Sequence, residues 1–368
     1  MSGRHHALDL LRGLAAILVA AYHFLDSQGI AVESLGTFSV YVFFVLSGLT
    51  MTAVYGPQFS NAIRVIDLRR FYWNRITRLM PLLIAASLLS LALAAPSLGL
   101  TRHLAASALY AFMTGTALFA LHLPGYLSNT MGAWSLGIEM MFYFVFPVIC
   151  LLAATASRLQ LAGIALVLIF AQQIVIALMH HWVSDDPLRF WHYYSTFLIF
   201  LPFFILGILI ARLRSEQKYL NLVAALVFLT LIAGFSLVFK VEIFVTHWAY
   251  LTLTGLAFCA VYFAFMSRTP EFLVGPSLFL GNASYALYLS HPFSLRLTAD
   301  VAGLLGCGPV ITAVLYFALA LIVAHYTYRL FERPAQNFLR STTARHGFSI
   351  PADPASSRAL SAASGQQP

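Results

Sequence analysis

The chain has 368 residues, of which 60% are hydrophobic and only 9% are charged, and its mean hydropathy is +0.83. Soluble domains contain about 45–50% apolar and about 25% charged residues, so this composition excludes a soluble globular protein and predicts a polytopic membrane protein. The net charge of +8 does not indicate a nucleic-acid partner, because the positive residues cluster beside hydrophobic runs, where they record orientation in the membrane. The three cysteines are too few and too scattered to indicate a disulfide framework or a zinc site.

Eleven apolar runs approach the length of about 20 residues that crosses a bilayer. They lie near residues 7–25, 38–55, 79–95, 104–121, 133–153, 161–180, 196–211, 220–238, 247–266, 277–295 and 309–331. If all of them crossed, with the N-terminus in the cytoplasm, 10 of the 21 lysines and arginines would lie inside, which shows no positive-inside bias.

The run at 104–121 is the best candidate for a segment that does not cross, because Thr114, Gly115 and Thr116 interrupt its apolar character. If this run dips into the membrane and returns, 17 of the 21 positive residues lie inside. The sequence therefore predicts an all-α polytopic membrane protein with about ten transmembrane helices, one re-entrant or interfacial segment and both termini in the cytoplasm.

The two ends of the chain differ from the membrane part. The start resembles a secretory signal, but Arg12 interrupts the first apolar run and further spans follow, which favours an uncleaved signal anchor. Residues 341–368 are rich in Ser, Ala and Pro and are predicted to form a disordered cytoplasmic tail after an integral membrane domain over residues 1–340. The sequence shows no internal repeat of the kind that is common in secondary transporters.

Arg12 and His23 are the most informative pair of residues, because both lie in the first apolar run. A charged side chain at bilayer depth costs about 2.5–3.5 kcal/mol and persists where it is paired or lines a polar cavity. Eleven residues are close to three helical turns, so both side chains lie on one helix face, about 16 Å apart along the axis. Asp9 is placed for an i,i+3 ion pair with Arg12. His23 is a candidate general base, or else a polar residue at a helix end.

Arg75 and Arg78 share a helix face just where the third span enters the membrane. Two neighbouring guanidinium groups can bind phosphates in bidentate fashion, which predicts a site for a cytoplasmic, phosphate-bearing donor. The nearby Arg69 and Arg70 are interpreted as ordinary positive-inside charges.

Glu139 is the only carboxylate in the apolar, aromatic segment 132–147. A carboxylate at that depth is protonated or matched to a cation, so it is a candidate site residue. Ser135, four residues earlier, is predicted to share its helix face.

Two further polar positions lie near the end of the chain. Tyr288 and His291 are spaced to touch on one helix, with the alternative that His291 is an interfacial histidine before a helix-breaking Pro292. Glu332 closes the last span, where it either forms a capping ion pair with Arg333 or pairs with the arginines of the third span.

Taken in order, these segments resemble the membrane-bound acyltransferase 3 family of integral membrane O-acyltransferases, over residues 8 to 334. The matching segments are LDLLRGLAAILVAAYHF with Arg12 and His23, FFVLSGLTMT at 43–52, the Arg-x-x-Arg of Arg75 and Arg78 followed by Pro81, WSLGIEMMFYFVFP with Glu139, SYALYLSHPF with His291, and Glu332 with Pro334. The chain departs from the family pattern at Met140, where the family has a second acidic residue.

The resemblance implies that an acyl group, usually acetyl, moves from cytoplasmic acyl-CoA to a hydroxyl of a surface glycan or lipid-linked saccharide at the bacterial inner membrane, without a metal. The implied partners are therefore acyl-CoA, a saccharide acceptor and membrane lipids, and no nucleic acid. A proton-coupled transporter or flippase of a saccharide precursor is the competing interpretation.

The resemblance also implies roles for the individual residues. Arg75 and Arg78 would hold the coenzyme phosphates, and Arg12 would steer the thioester or pyrophosphate. His23 would be the base or an acyl relay. The supporting residues would be Glu139 and His291, which orient the acceptor or His23, Tyr288 beside His291, and Glu332, which braces the arginine pair.

Overall fold

The computed structural model describes residues 4–98, 102–121, 128–183, 186, 191, 193–213, 217–239 and 247–345. Within these ranges the regular secondary structure is helical, apart from one isolated parallel bridge between Lys218 and Ser267. Most of the predicted tail, residues 346–368, lies outside the described residues.

The helices follow one another along the chain with short connections. They are α1 (His6–Ser27), α2 (Glu33–Phe59), α3 (Val65–Leu98), α4 (Arg102–Gly115), α5 (Ala133–Thr155), α6 (Arg158–Val183), α7 (Phe197–Ala211), α8 (Tyr219–Phe239), α9 (His247–Phe265), α10 (Glu271–Leu305), α11 (Pro309–Thr327) and α12 (Arg333–Arg345). A 3₁₀ turn at Leu118–Leu121 follows α4, and a π-helical turn at Tyr328–Glu332 joins α11 to α12.

In the part of the chain that the structure describes, nine helical segments are long and apolar enough to cross a membrane. The apolar helix α7 has 15 residues and falls below that length. These helices confirm the prediction of an all-α polytopic membrane protein.

Helix α4 does not cross the bundle. Its 14 residues span about 21 Å, which is less than the roughly 30 Å hydrocarbon core of a bilayer. Helices α3 and α5 run antiparallel, because the Tyr72 hydroxyl donates to the Phe144 carbonyl at one end and the Ser87 hydroxyl to the Asn129 side chain at the other. The chain therefore leaves α3 and begins α5 on the same side of the bundle, as a re-entrant or interfacial α4 requires.

Two close helix contacts assemble the centre of the bundle. Gly13 and Gly281 let α1 and α10 approach closely, since a Cβ at Gly13 would overlap Leu280 and one at Gly281 would overlap Asp9. Gly48 and Gly207 do the same for α2 and α7, where an added Cβ would meet the facing backbone. Small residues permit such close packing between membrane helices. These contacts pair α1 with α10 and α2 with α7, and α1, α2 and α10 all contribute residues to the site.

The expectation that Pro292 breaks its helix is wrong, because α10 is continuous from Glu271 to Leu305 and contains both Pro276 and Pro292. A proline in a helix removes the amide that would bond to the carbonyl four residues earlier. For Pro292 this is the carbonyl of Tyr288, and the Nδ1 atom of His291 lies 2.8 Å from its oxygen. The side chain of His291 thus takes the place of the missing amide.

Candidate functional site

The bundle encloses a polar cavity with an empty volume of about 690 Å³, including its mouth. We call it the arginine cavity, because Arg12, Arg75 and Arg78 line it together with the carboxylate of Glu139. The other lining residues are Val40, Phe43, Phe44, Leu46, Ser47, Thr50, Leu79, Ser135, Leu136, Ser284, Tyr285 and Tyr288. Five helices, α1, α2, α3, α5 and α10, therefore contribute to one site.

Glu139 connects its own helix, α5, to α2. Its Oε1 atom accepts hydrogen bonds from the Ser47 hydroxyl on α2 and from the Tyr143 hydroxyl on α5, the latter at 2.5 Å. Hydrogen bonds to a charged acceptor are about twice as strong as neutral ones. Ser135 also lines the cavity, which confirms that it shares a helix face with Glu139. The carboxylate is thus held by neutral donors.

Arg75 is held by aromatic rings. Its guanidinium carbon lies 4.9 Å from the ring centroid of Tyr55, 5.3 Å from that of Tyr143 and 5.9 Å from that of Phe71. Such cation–π contacts position a cation without neutralising its charge. The Nε atom of Arg75 is buried and has no hydrogen-bond partner among the described residues. Arg75 is therefore positioned by aromatic rings and forms no salt bridge among the described residues.

Arg12 belongs to a chain of charges at the start of α1. Asp9 lies 3.5 Å from Arg12 and 2.5 Å from Arg4, which confirms the predicted i,i+3 pair. Arg4 also donates to the Asn282 side chain on α10 at 2.7 Å. Since Asp9 is shared between two arginines, it compensates the charge of Arg12 only in part.

Arg78 and Glu332 are connected through a glutamine. The side-chain amide of Gln336 donates to Glu332 at 3.1 Å and to the backbone carbonyl of Arg78 at 3.4 Å. Glu332 is buried, and its Oε2 atom has no partner among the described residues. Within the same ranges neither Arg75 nor Arg78 forms a salt bridge. Glu332 therefore contacts the arginine helix indirectly, and the cavity keeps an excess of positive charge.

His23 and His291 lie outside the cavity lining and stack on each other. We call them the histidine pair, and their ring centroids are 5.1 Å apart. The ring of Tyr288, which lines the cavity, is 6.2 Å from that of His291. The hydroxyls of Tyr288 and Ser135 are 2.7 Å apart. Tyr288 thus lies between the arginine cavity and the histidine pair.

His291 is fully buried, and its hydrogen-bond pattern defines its tautomer. Its Nδ1 atom lies 2.8 Å from the carbonyl oxygen of Tyr288 and 3.3 Å from that of Leu287. A carbonyl only accepts, so Nδ1 carries the hydrogen and Nε2 is the basic nitrogen of the neutral ring. This Nε2 is buried and has no hydrogen-bond partner among the described residues.

The cavity and the pair are suited to different chemistry. Because three guanidinium groups and one carboxylate line the cavity, it is suited to bind an anion with several oxygens, such as a phosphate ester. Imidazole rings can accept a proton near neutral pH. In the described ranges no group of three or more His, Cys, Asp or Glu side chains is arranged to hold a metal ion.

Three further residues of this site were not predicted from the sequence. Ser47 and Tyr143 bind Glu139, and Tyr55 packs on Arg75. The i,i+4 spacing of Tyr143 from Glu139 is a signal that could have found the first contact. Ser47 and Tyr55 carry no such signal, because they lie on α2, far in sequence from their partners on α5 and α3.

The arginines before the cavity also differ from one another. Arg69 is exposed, whereas Arg70 is half-buried and its Nε atom is buried without a partner in the described part of the chain. Arg69 therefore fits the interpretation as a solvated positive-inside charge, whereas Arg70 is partly buried in the bundle.

Comparison with known proteins finds relatives that align with most of this chain. YrhL of Bacillus subtilis (strain 168) is 28% identical over 90% of this chain and 55% of its own length. An O-acetyltransferase, OatA, of Staphylococcus aureus is 25% identical over 89% of this chain and 56% of its own length. A peptidoglycan O-acetyltransferase, OatA, of Listeria monocytogenes is 26% identical over 89% and 55%. The chain thus spans about half the length of these relatives.

No solved structure matches the chain. A family profile described as an acyltransferase domain matches residues 5–329, which include the arginine cavity and the histidine pair. The chain therefore belongs to the acyltransferase 3 family.

Proposed function

We propose that the protein transfers an acyl group, most often acetyl, from cytoplasmic acyl-CoA to a hydroxyl of a surface glycan or lipid-linked saccharide. The observation that carries the proposal is the arginine cavity, in which Arg12, Arg75 and Arg78 face one carboxylate and lie near the histidine pair. Relatives whose names describe O-acetyltransferases, in two cases of peptidoglycan, support an acyl transfer to a glycan.

The donor binds in the arginine cavity. The pyrophosphate of a coenzyme carries several anionic oxygens, which Arg75 and Arg78 bind with their planar guanidinium groups. The predicted cytoplasmic position of Arg75 and Arg78, just where the third span enters the membrane, agrees with a cytoplasmic donor, and the multi-pass chain then lies in the bacterial inner membrane with both termini inside. The pantetheine arm extends from these arginines past Arg12 towards Tyr288.

The acceptor reacts beside the histidine pair. His23 accepts the proton of the saccharide hydroxyl while its oxygen attacks the thioester carbonyl. When the carbon–sulfur bond breaks, the coenzyme thiolate takes this proton from His23. The products are an acyl ester of the saccharide and free coenzyme A, so His23 returns to its starting state. Proton transfer by a positioned base contributes about 10²- to 10⁴-fold to a rate.

Membrane vesicles with the cytoplasmic face outward test this reaction. Given acetyl-CoA labelled in its acetyl group, vesicles that carry the protein are expected to label envelope saccharide, and vesicles without it are not. Mass spectrometry of the glycan then identifies the acyl group and the acceptor. Movement of an unmodified saccharide that follows a proton gradient and ignores coenzyme A would instead indicate a transporter.

The donor site is tested by calorimetry with the full chain and coenzyme A. Arg75→Ala and Arg78→Ala are each expected to weaken binding about tenfold, because each removes charge-assisted contacts to phosphate. Arg69→Ala is the matched control, since Arg69 is exposed on the same helix. An equal loss of affinity for coenzyme A in all three variants would show that general positive charge explains the binding, and it would contradict the proposed site.

A further inference from the structure

Pro292 and the backbone carbonyl of Tyr288 together determine the tautomer of His291. In a regular helix the amide of residue 292 would donate to the carbonyl of Tyr288, but proline has no amide hydrogen. The Nδ1 atom of His291 lies 2.8 Å from that carbonyl oxygen. The carbonyl freed by the proline is therefore satisfied by the histidine next to it.

The alternative acceptor for Nδ1 is weaker. The carbonyl of Leu287 is 3.3 Å away, and as the residue four before His291 it is also the regular acceptor of the His291 backbone amide. The freed Tyr288 carbonyl is thus both the nearer and the less occupied partner. Because it can only accept, it requires hydrogen on Nδ1 and leaves the lone pair of the neutral ring on Nε2.

The remaining nitrogen has no structural use in the bundle. His291 is fully buried, and its Nε2 atom lacks a hydrogen-bond partner among the described residues. A buried polar atom without a partner costs about 1–3 kcal/mol, so it is usually retained for a ligand or a reaction. The ring is stacked on that of His23, with the ring centroids 5.1 Å apart and an angle of 25° between the ring planes, so a group bound at one imidazole lies close to the other.

We propose that Pro292 is a positioning residue, which holds His291 in the Nδ1–H tautomer so that Nε2 accepts a hydrogen bond from a second hydroxyl of the saccharide acceptor. This inference rests on the proposed function, in which the reacting hydroxyl gives its proton to His23. His291 itself neither gains nor loses a proton. It orients the saccharide so that the reacting hydroxyl points at His23.

The test combines a spectrum with kinetics in Pro292→Ala. Alanine restores a backbone amide that competes for the Tyr288 carbonyl, and since alanine favours helices the variant is expected to fold. Nitrogen NMR of the full chain with labelled histidine, in lipid nanodiscs, is expected to show one Nδ1–H ring in the wild type that becomes a mixture of tautomers in the variant. The signal is assigned by its loss in His291→Asn.

In vesicles, Pro292→Ala is expected to lower kcat for acetyl transfer about tenfold and to leave the binding of coenzyme A unchanged. Pro276→Ala is the matched control, because Pro276 lies in the same helix without a neighbouring histidine, and it is expected to change neither the spectrum nor kcat. In the background of His291→Asn, whose amide can still donate to Tyr288 but which lacks Nε2, Pro292→Ala is expected to cause no further loss.

Three results would overturn the inference: an Nε2–H tautomer in the wild type, an unchanged tautomer in Pro292→Ala, or equal losses of kcat in Pro292→Ala and Pro276→Ala. Failure of the proposed function looks different. In that case the wild type transfers no acetyl group from coenzyme A, while the NMR spectra still report the tautomer of His291.

Discussion

The arginine cavity and the histidine pair are built in opposite ways, although they are neighbours. The cavity draws on five helices, and residues of α2 contact both Glu139, through Ser47, and Arg75, through Tyr55. The histidine pair uses only α1 and α10, and the Nε2 atom of His291 is left without a partner in the described part of the chain. Binding a flexible anion requires many fixed positive charges, whereas accepting a proton or a hydrogen bond requires a free lone pair.

We expect variants of the histidine pair to change the chemical step and variants of the cavity arginines to change donor binding. The largest effect is expected for His23→Ala, because it removes the proposed base. Acetyl transfer in vesicles should fall by about 10²- to 10⁴-fold, while the affinity for coenzyme A measured by calorimetry stays unchanged.

His325→Ala is the control for this variant, since His325 lies on α11 and stacks on Phe279, away from the pair. It should retain near wild-type transfer. Full activity in His23→Ala, with normal amounts of protein in the membrane, would show that His23 is not the base and that the histidine pair contributes only to helix packing.

A smaller effect is expected for Glu139→Gln. The amide keeps one oxygen for Ser47 and Tyr143 but removes the only carboxylate among the described residues that line the cavity. With less compensation of the arginine charges, coenzyme A should bind as tightly as before or more tightly, whereas kcat should fall about tenfold because Glu139 no longer holds its charged hydrogen bonds.

Titration of coenzyme A with Glu139→Gln, followed by the vesicle assay, separates these two effects. Weaker donor binding in this variant would contradict the view that the cavity carries excess positive charge.

The smallest effect is expected for Tyr143→Phe. The ring that packs on Arg75 is kept, and only the hydroxyl that donates to Glu139 is lost. This variant therefore tests the hydrogen bond while the cation–π contact stays in place. We expect a reduction of kcat by about fivefold, equivalent to about 1 kcal/mol for one hydrogen bond, and unchanged donor binding.

Tyr143→Leu, which removes the ring as well, should in addition weaken the binding of coenzyme A. If the phenylalanine and leucine variants behave alike in both assays, the aromatic surrounding of Arg75 has no part in presenting its charge.

The sequence predicted which residues belong to this site better than it predicted which side chains contact them. The i,i+3 pair of Asp9 and Arg12 was predictable, because helix geometry alone determines it. The shared face of Arg12 and His23 was predictable for the same reason, but their separate surroundings were not. Arg12 lines the cavity, whereas His23 packs on His291. Which side chain meets a given face depends on α10, which is more than 250 residues away in the chain.

Pro292 illustrates the limit of local rules. A proline in a sequence predicts the end of a helix because it removes one backbone hydrogen bond. Here the helix continues, since the side chain of His291 replaces that bond.

The membrane class, the helical architecture and the order of the polar motifs follow from the sequence alone, because hydrophobicity and helical periodicity act within single segments. Three contacts depend on how the helices pack. Ser47 and Tyr143 bind Glu139, and aromatic rings pack on Arg75. The third contact is the stacking of His291 on His23. Apart from the bond of Tyr143 to Glu139, these contacts join residues that are distant in the chain, and they depend on close helix packing at Gly48 and Gly281, which no local pattern specifies.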